Sequence, residues 1–240
     1  MPKRSAERVD YGEDENQFFE LWLPGQQAEG FAIFIHGGFW RAKYDLHHTD
    51  PFCAALVETG IAVASLEYRR IGQLGGGWPG TFEDILSGVG TVITHVGKLP
   101  VLVGHSAGGH LALRVASEPI PVKAVVALAP VADLRLAHKL NLSNGAVGEF
   151  MGGTPESAPE CYDEACPSAH ALPVPTFVVH GSDDGDVPIA ISRQFVESRK
   201  KDPEPPSLTE LPATGHMELI DPETSAGKTV LDLVARVARE

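Results

Sequence analysis

With 240 residues, 43% of them hydrophobic, the chain is long enough to bury a sizeable core, and a net charge of −13 from 32 acidic against 19 basic residues repels nucleic-acid phosphates and anionic lipid. No apolar stretch reaches the roughly 18 residues of a membrane span, and Met1 to Asp10 carries charges without a hydrophobic signal core. Cys53, Cys161 and Cys166 form no Cys-x-x-Cys pair, so we expect a cytoplasmic protein in a reducing compartment that binds neither nucleic acid nor membrane and holds no metal.

The first apolar run, Gln17 to Leu23, stops at Pro24-Gly25 and predicts an early antiparallel strand; Phe31 to Ile35 predicts a buried one. A helix from Pro51 to Thr59, ended by Gly60, precedes a strand at Ile61 to Leu66. The glycine-rich loop 72–80 either lines a site mouth or simply leads into a helix from Thr81 to about Val96. Leu99 to Val103 is a short apolar strand before Gly104-His105-Ser106-Ala107-Gly108 and an Ala/Leu-rich helical stretch over 109–116. The near-continuous apolar run Val122 to Ala129 marks a strand buried on both faces. Residues 131–172 are irregular, broken by Gly152-Gly153-Thr154-Pro155 and Pro159, and predict a small cap. Strands at Pro175 to His180 and Ser207 to Leu211, with helices at about Pro188 to Lys200 and Pro222 to Ala238, complete the chain. The expectation is one α/β domain over 1–240, with a mostly parallel sheet of about eight strands flanked by helices and the cap between strands six and seven.

The segment 104–108 carries the first chemistry. A strand, Gly-x-Ser-x-Gly, helix order describes a nucleophile elbow, a tight turn that holds a serine hydroxyl proud of a sheet edge. Glycines flank the serine because the strained turn brings strand and helix so close that a Cβ would collide. Two strand ends downstream of the serine give the pentapeptide its weight. Pro175 to His180 runs into Gly181-Ser182-Asp183-Asp184-Gly185-Asp186-Val187-Pro188, and Ser207 to Leu211 runs into Pro212-Ala213-Thr214-Gly215-His216. Serine, acid, histidine, each just beyond a strand, is the α/β-hydrolase chain order, unlike those of the chymotrypsin and subtilisin folds. His216 would take the Ser106 proton and later return it to the leaving group, while a carboxylate fixes the imidazole tautomer. Asp183, Asp184 and Asp186 are the candidates for that carboxylate, and they do not begin a spaced calcium-loop pattern.

Upstream, Phe31 to Ile35 leads to His36-Gly37-Gly38-Phe39-Trp40, where this fold places backbone donors. An oxyanion would be met by the N–H of Gly38 or Phe39 and by that of Ala107, at the positive end of the elbow helix. His36 is read as a hydrogen-bonding support behind the loop, since His216 already fills the base position. Phe39, Trp40 and Met217, with Phe150 and Met151, are the apolar residues expected either near a pocket or in core and cap packing. His47-His48 lacks a third ligand at useful sequence spacing and is read as surface or packing. His105 and His110 read as scaffold, and Arg69 and Arg70 either hold a substrate carboxylate or end a strand in solvent.

His36-Gly37-Gly38-Phe39-Trp40 resembles the HGG-aromatic-Trp signature of the kynurenine formamidase (arylformamidase) group and its related small bacterial esterases, within the α/β-hydrolase superfamily. The likeness runs through Leu66-Glu67-Tyr68-Arg69-Arg70, Gly104 to His110, Ala129 to Leu134 and Gly215 to Pro222, and so covers most of the chain from about residue 17 onward. The resemblance implies an acyl-enzyme serine hydrolase for a small ester or an aryl formamide, with no metal or organic cofactor. In the family pattern Gly-x-x-Asp-x-x-Val-Pro the acid stands three residues after the glycine, which assigns the role to Asp184. Position 39 is Phe where the formamidase motif has Tyr, so that hydroxyl contact is missing and the substrate stays open. A catalytically silent binding protein on this fold would lack a triad member, and none is lacking here.

Overall fold

A computed structural model of the chain describes residues 6–240; the first five residues of the charged amino-terminal segment lie outside the described residues. The strands are β1 (Glu7–Asp10), β2 (Phe18–Trp22), β3 (Gly30–Ile35), β4 (Ile61–Leu66), β5 (Val101–His105), β6 (Ala124–Leu128), β7 (Thr176–Gly181) and β8 (Ser207–Leu211). They form one sheet in the order β1-β2-β4-β3-β5-β6-β7-β8. β2 is antiparallel to both β1 and β4, and every other neighbour is parallel. Parallel neighbours require crossover connections. The helices are α1 (Asp50–Glu58), α2 (Gly80–Val96), α3 (Ala107–Val115), α4 (Leu134–Lys139), α5 (Ala146–Met151), α6 (Pro159–Ala165), α7 (Ala190–Ser198) and α8 (Ser225–Arg239). The order and layering are those of the α/β-hydrolase fold.

Both faces of the sheet are covered, and the alternation along β3 shows how. Ile33 and Ile35 join a core cluster with Ile85 and Val89 of α2 and Leu111 of α3. Ala32 and Phe34 face the other way, into a cluster with Phe52 and Leu56 of α1 and Val230 and Val234 of α8. Helix ends follow their local chemistry: Pro51 stands in the first turn of α1, Gly97 closes α2 at φ 67°, and the Thr224 hydroxyl oxygen accepts from the Gly227 N–H at 2.9 Å to cap α8. Among the described residues no helix is long and apolar enough to cross a membrane.

Three differences from the sequence reading stand out. β1 carries only Val9 as an apolar residue and sits at the sheet edge, so it has no hydrophobic alternation to read. β5 continues past Val103 to His105 because Gly104 and His105 pair with Ile35 and Leu128 on the neighbouring strands. The segment between β6 and β7 contains three short helices, α4 to α6, where only irregularity was legible. The loops beyond β3, β5, β7 and β8 leave the same edge of the sheet, and they carry residues 36–40, Ser106, Asp184 and His216.

Candidate active site

Ser106 joins β5 to α3 with φ 59° and ψ −118°, far from the conformations an ordinary residue prefers. The glycines around it are demanded by backbone contact. A Cβ at Gly104 would lie 2.2 Å from the Gly108 carbonyl oxygen, and one at Gly108 would lie 2.0 Å from that of Ile35. Neither obstacle is a side chain that can swing away. Gly108→Ala is therefore expected to cost about 4 kcal/mol or more, read as a lower urea midpoint or loss of soluble protein; a wild-type midpoint would show that the elbow has slack.

The loop after β7 meets the loop after β8. His216 Nδ1 lies 2.6 Å from Asp184 Oδ2, and the Asp184 side chain is fully buried. Asp184 Oδ1 accepts the N–H groups of Asp186 and Val187 at 2.9 and 2.8 Å. His180, near the end of β7, adds a donor that the sequence does not announce: its Nε2 stands 3.2 Å from Asp184 Oδ2 and 2.8 Å from the Val187 carbonyl oxygen, while its Nδ1 lies 2.7 Å from Ser192 Oγ. Both neighbours of Nε2 are acceptors, so the ring carries its proton there and accepts the Ser192 hydroxyl at Nδ1. Burial works to raise the Asp184 carboxyl, but the hydrogen bonds from His180 and His216, with the His216 charge and the Val187 N–H, hold it well below the usual carboxylate range. The rival Asp183 is exposed, with its carboxylate accepting the Ser182 hydroxyl at 2.7 Å.

His105 links the serine's strand to His216. Its Nε2 donates to the His216 carbonyl oxygen at 3.1 Å, and the two rings lie 4.4 Å apart between centroids. Burial, reinforced by His216, pushes the His105 imidazole well below its ordinary value, so it serves as a neutral donor. On the other side of the serine, a Cβ at Gly37 would stand 3.0 Å from Ser106 Cβ. The 36–40 loop thus packs directly on the elbow.

That loop is strained. Gly38, Phe39 and Trp40 have φ of 109°, 50° and 56°, and the Arg41 N–H closes the turn on the Gly38 carbonyl oxygen at 3.0 Å. Left-handed non-glycine residues cost about 1–3 kcal/mol each and persist only where the surroundings hold them. Among the described residues, the N–H groups of Gly38, Phe39 and Ala107 donate to no acceptor. His36 is the support that was expected: its Nδ1 lies 2.8 Å from the Gly37 carbonyl oxygen, its Nε2 lies 3.0 Å from Glu67 Oε1, and its ring stacks on Tyr68. Burial raises the Glu67 carboxyl, but His36, Arg70 and the Tyr68 N–H outweigh it and hold the group below its ordinary value.

The BD-FAE family profile matches residues 19–198, three quarters of the chain, spanning the loop, the elbow and the acid. This chain belongs to the BD-FAE family. Probable carboxylic ester hydrolase LipM of Mycobacterium tuberculosis is 27% identical over 238 residues, 87% of this chain and 55% of that protein. Kynurenine formamidase of Danio rerio is 30% identical over 114 residues, 45% of this chain and 38% of that protein. The chain spans about half the length of the first of these relatives. Among solved structures, a truncated carbohydrate esterase from gut microbiota superposes with a TM-score of 0.82 at 19% identity, covering 97% of this chain and 95% of that one. Esterase B from Lactobacillus rhamnosis gives 0.80 at 19% identity, covering 97% and 84%. These likenesses show the fold.

In this BD-FAE chain Trp40, Arg69, Arg70 and His47 depart from the reading of the sequence, whereas His110 is the hydrogen-bonded scaffold that was expected. Trp40 is fully buried and stacks on Phe150 at 4.3 Å and 11°, so it fills the core behind the loop instead of walling a pocket. Phe39 is half-buried and Met217 half-exposed beside His216, while Phe150 and Met151 are buried. Arg69 neither binds from solvent nor ends in it: it grips the buried Asp84 carboxylate with Nε at 2.8 Å and Nη2 at 2.6 Å. Arg70 is buried too, against Asn16 Oδ1, the Tyr44 carbonyl oxygen and Glu67. His110 donates to the Ala165 carbonyl oxygen, with burial pushing its imidazole down to about 4. His47, read as lacking a third ligand, has Asp50 beside it three residues on and Glu20 brought in by tertiary contact, with ligand atoms within 4.8 Å of one another. Asp184, Asp186 and His216 form a second such group at the site itself.

Proposed function

We propose that the chain is a serine hydrolase that cleaves small carboxylic esters through an acyl-enzyme. The observation that carries this reading is the 2.6 Å contact between His216 Nδ1 and the buried Asp184, reached from two sheet-edge loops beside a left-handed Ser106. Ser106 Oγ attacks the ester carbonyl while His216 takes its proton, and the tetrahedral oxyanion meets the N–H groups of Ala107 and of Gly38 or Phe39. Collapse expels the alcohol with the proton from His216. Water, deprotonated by the same imidazole, then releases the acid and restores the serine. Asp184 holds the Nδ1–H tautomer and stabilises the imidazolium. Residues 131–172 act as a small cap that limits substrate size, with Phe39 and Met217 at the mouth; no metal or organic cofactor enters the scheme. The name of the M. tuberculosis relative and the esterase names of the structural neighbours support the ester class.

Aryl formamide cleavage is the second reading, favoured by the HGG-Phe-Trp loop and the likeness to the Danio rerio formamidase over 45% of this chain. Acyl length separates the two. An esterase is expected to turn over aryl acetate and butyrate within about tenfold of the formate, since a methylene in an apolar pocket changes rates only modestly. A formamidase should fall steeply from formate to acetate and deformylate N-formylkynurenine. Rates on that panel, each checked with Ser106→Ala, decide the substrate class.

A further inference from the structure

We propose that Glu149 and Phe150 of α5 are positioning residues for the oxyanion loop, acting through Arg41 and Trp40. Two contacts join that short helix to the loop. The Arg41 guanidinium forks onto the Glu149 carboxylate with Nε–Oε2 and Nη2–Oε1 both at 3.1 Å, and its Nη1 reaches Ser143 Oγ at 3.2 Å. One residue earlier, the Trp40 ring lies flat on Phe150. Arg41 also supplies the N–H that closes the turn on Gly38, so its side chain and backbone pull on the same strained segment. The opposite side is pinned by Ile71, which donates to the Trp40 carbonyl oxygen at 2.7 Å and accepts from the Ala42 N–H at 3.2 Å. The left-handed course of residues 38–40 is thus gripped between Ile71 and α5.

α5 is itself braced for this task. Left-handed residues flank it, at Asn141, Ser143, Asn144 and Gly145 before it and Gly152 after it, so its placement depends on its contacts more than on its neighbours in sequence. The Phe150 carbonyl oxygen accepts from the Trp78 N–H at 2.8 Å, and the Phe150 ring meets the edge of His110, one turn beyond Ser106 on α3. Phe150 therefore touches both the oxyanion loop's tryptophan and the helix that supplies the Ala107 N–H. Arg41 and Glu149 are 29% and 49% exposed, so their ion pair adds little to folding stability. What it adds is direction: backbone donors aimed at a developing oxyanion lose rate steeply when displaced by even an ångström.

The inference rests on the oxyanion assignment proposed above, and the test keeps the two apart. In the full chain, Glu149→Gln and Phe150→Leu are each expected to lower kcat for p-nitrophenyl acetate by about tenfold or more, with KM within about twofold, because the donors act on the transition state. The affinity of a small alkylboronic acid, which adds to the serine as a tetrahedral anion, should fall by the same factor as kcat. The charge-swapped pair Arg41→Glu/Glu149→Arg should recover kcat to within about threefold of wild type, and the Tm of Glu149→Gln should stay within about 2 °C. If both single variants keep wild-type kcat, or if kcat falls without a matching loss of boronate affinity, the positioning role is overturned. Labelling by a fluorophosphonate that is abolished in Ser106→Ala checks the underlying reading: if that labelling fails, the serine mechanism falls and the inference with it.

Discussion

Removing the Ser106 hydroxyl, as alanine, is expected to lower turnover of p-nitrophenyl acetate by about 10⁴-fold or more while the protein stays folded. The size of the loss reflects the division of labour at the site. In the proposed mechanism His216 and the backbone donors assist only a nucleophile placed at the tip of the β5–α3 turn, and no other hydroxyl occupies that turn. The fold should hold because alanine keeps the Cβ that already faces Gly37, and the elbow's closest approaches are made by Gly104 and Gly108. Circular dichroism and the urea midpoint check the second half of the statement. A purified variant with the wild-type rate would sink the serine mechanism.

Asp184→Asn is expected to be nearly as severe, about 10³- to 10⁴-fold in kcat. The carboxylate receives hydrogen bonds on both oxygens, from His216 and His180 on one and from the Asp186 and Val187 N–H groups on the other. An amide can offer one oxygen, and its NH₂ then confronts donors, so it turns His216 towards the wrong tautomer or leaves buried groups unpaired. The same geometry predicts an acid limb. Because the folded carboxyl lies below its unfolded-chain value of about 3.9, its bonds stabilise the protein above that pH, and the contribution drains away as pH falls from about 4 towards the folded value. The urea midpoints of wild type and Asp184→Asn should therefore lie further apart at pH 7 than at pH 3. An equal gap at both would mean that the carboxyl is not held ionised by the fold.

What could be read in advance was whatever the chain encodes locally. Buried strands announce themselves as apolar runs, Ser106 and Asp184 stand just beyond two of them, and His216 follows the alternating edge strand Ser207 to Leu211, so both the sheet and the order of its loops were legible. β1 was not, because its four residues include a single apolar one, Val9, and so show no alternation. Asp184 could be told from Asp183 only through the family pattern; in three dimensions it is the Asp184 carboxylate that turns inward to His216. Arg69 and Arg70 looked like surface charges because their partners, Asp84 and Asn16, lie 15 and 54 residues away in sequence. Glu20 reaches His47 from β2, 27 residues away, whereas Asp50 is a local neighbour three residues on. His180 left a faint trace: a polar residue closing an apolar strand, one turn before the acid. Its bond to Asp184 needs the turn after β7, and its bond to Ser192 needs the packing of α7 against the sheet.

The strand polarity makes this a two-ended molecule, which matters for anyone who wants to fasten it to something. Every loop of the proposed site leaves the carboxyl ends of the parallel strands, whereas Leu99 sits half-exposed at the opposite end of β5. From there to Ser106 the extended chain spans about 20 Å. Cys53 and Cys166 are buried, and burial raises both thiols, so neither competes well for a maleimide at neutral pH; Cys161 is half-buried and must be replaced by serine. A cysteine introduced as Leu99→Cys in a Cys161→Ser background would therefore anchor the protein to an electrode or bead with the edge that carries the proposed site facing the liquid.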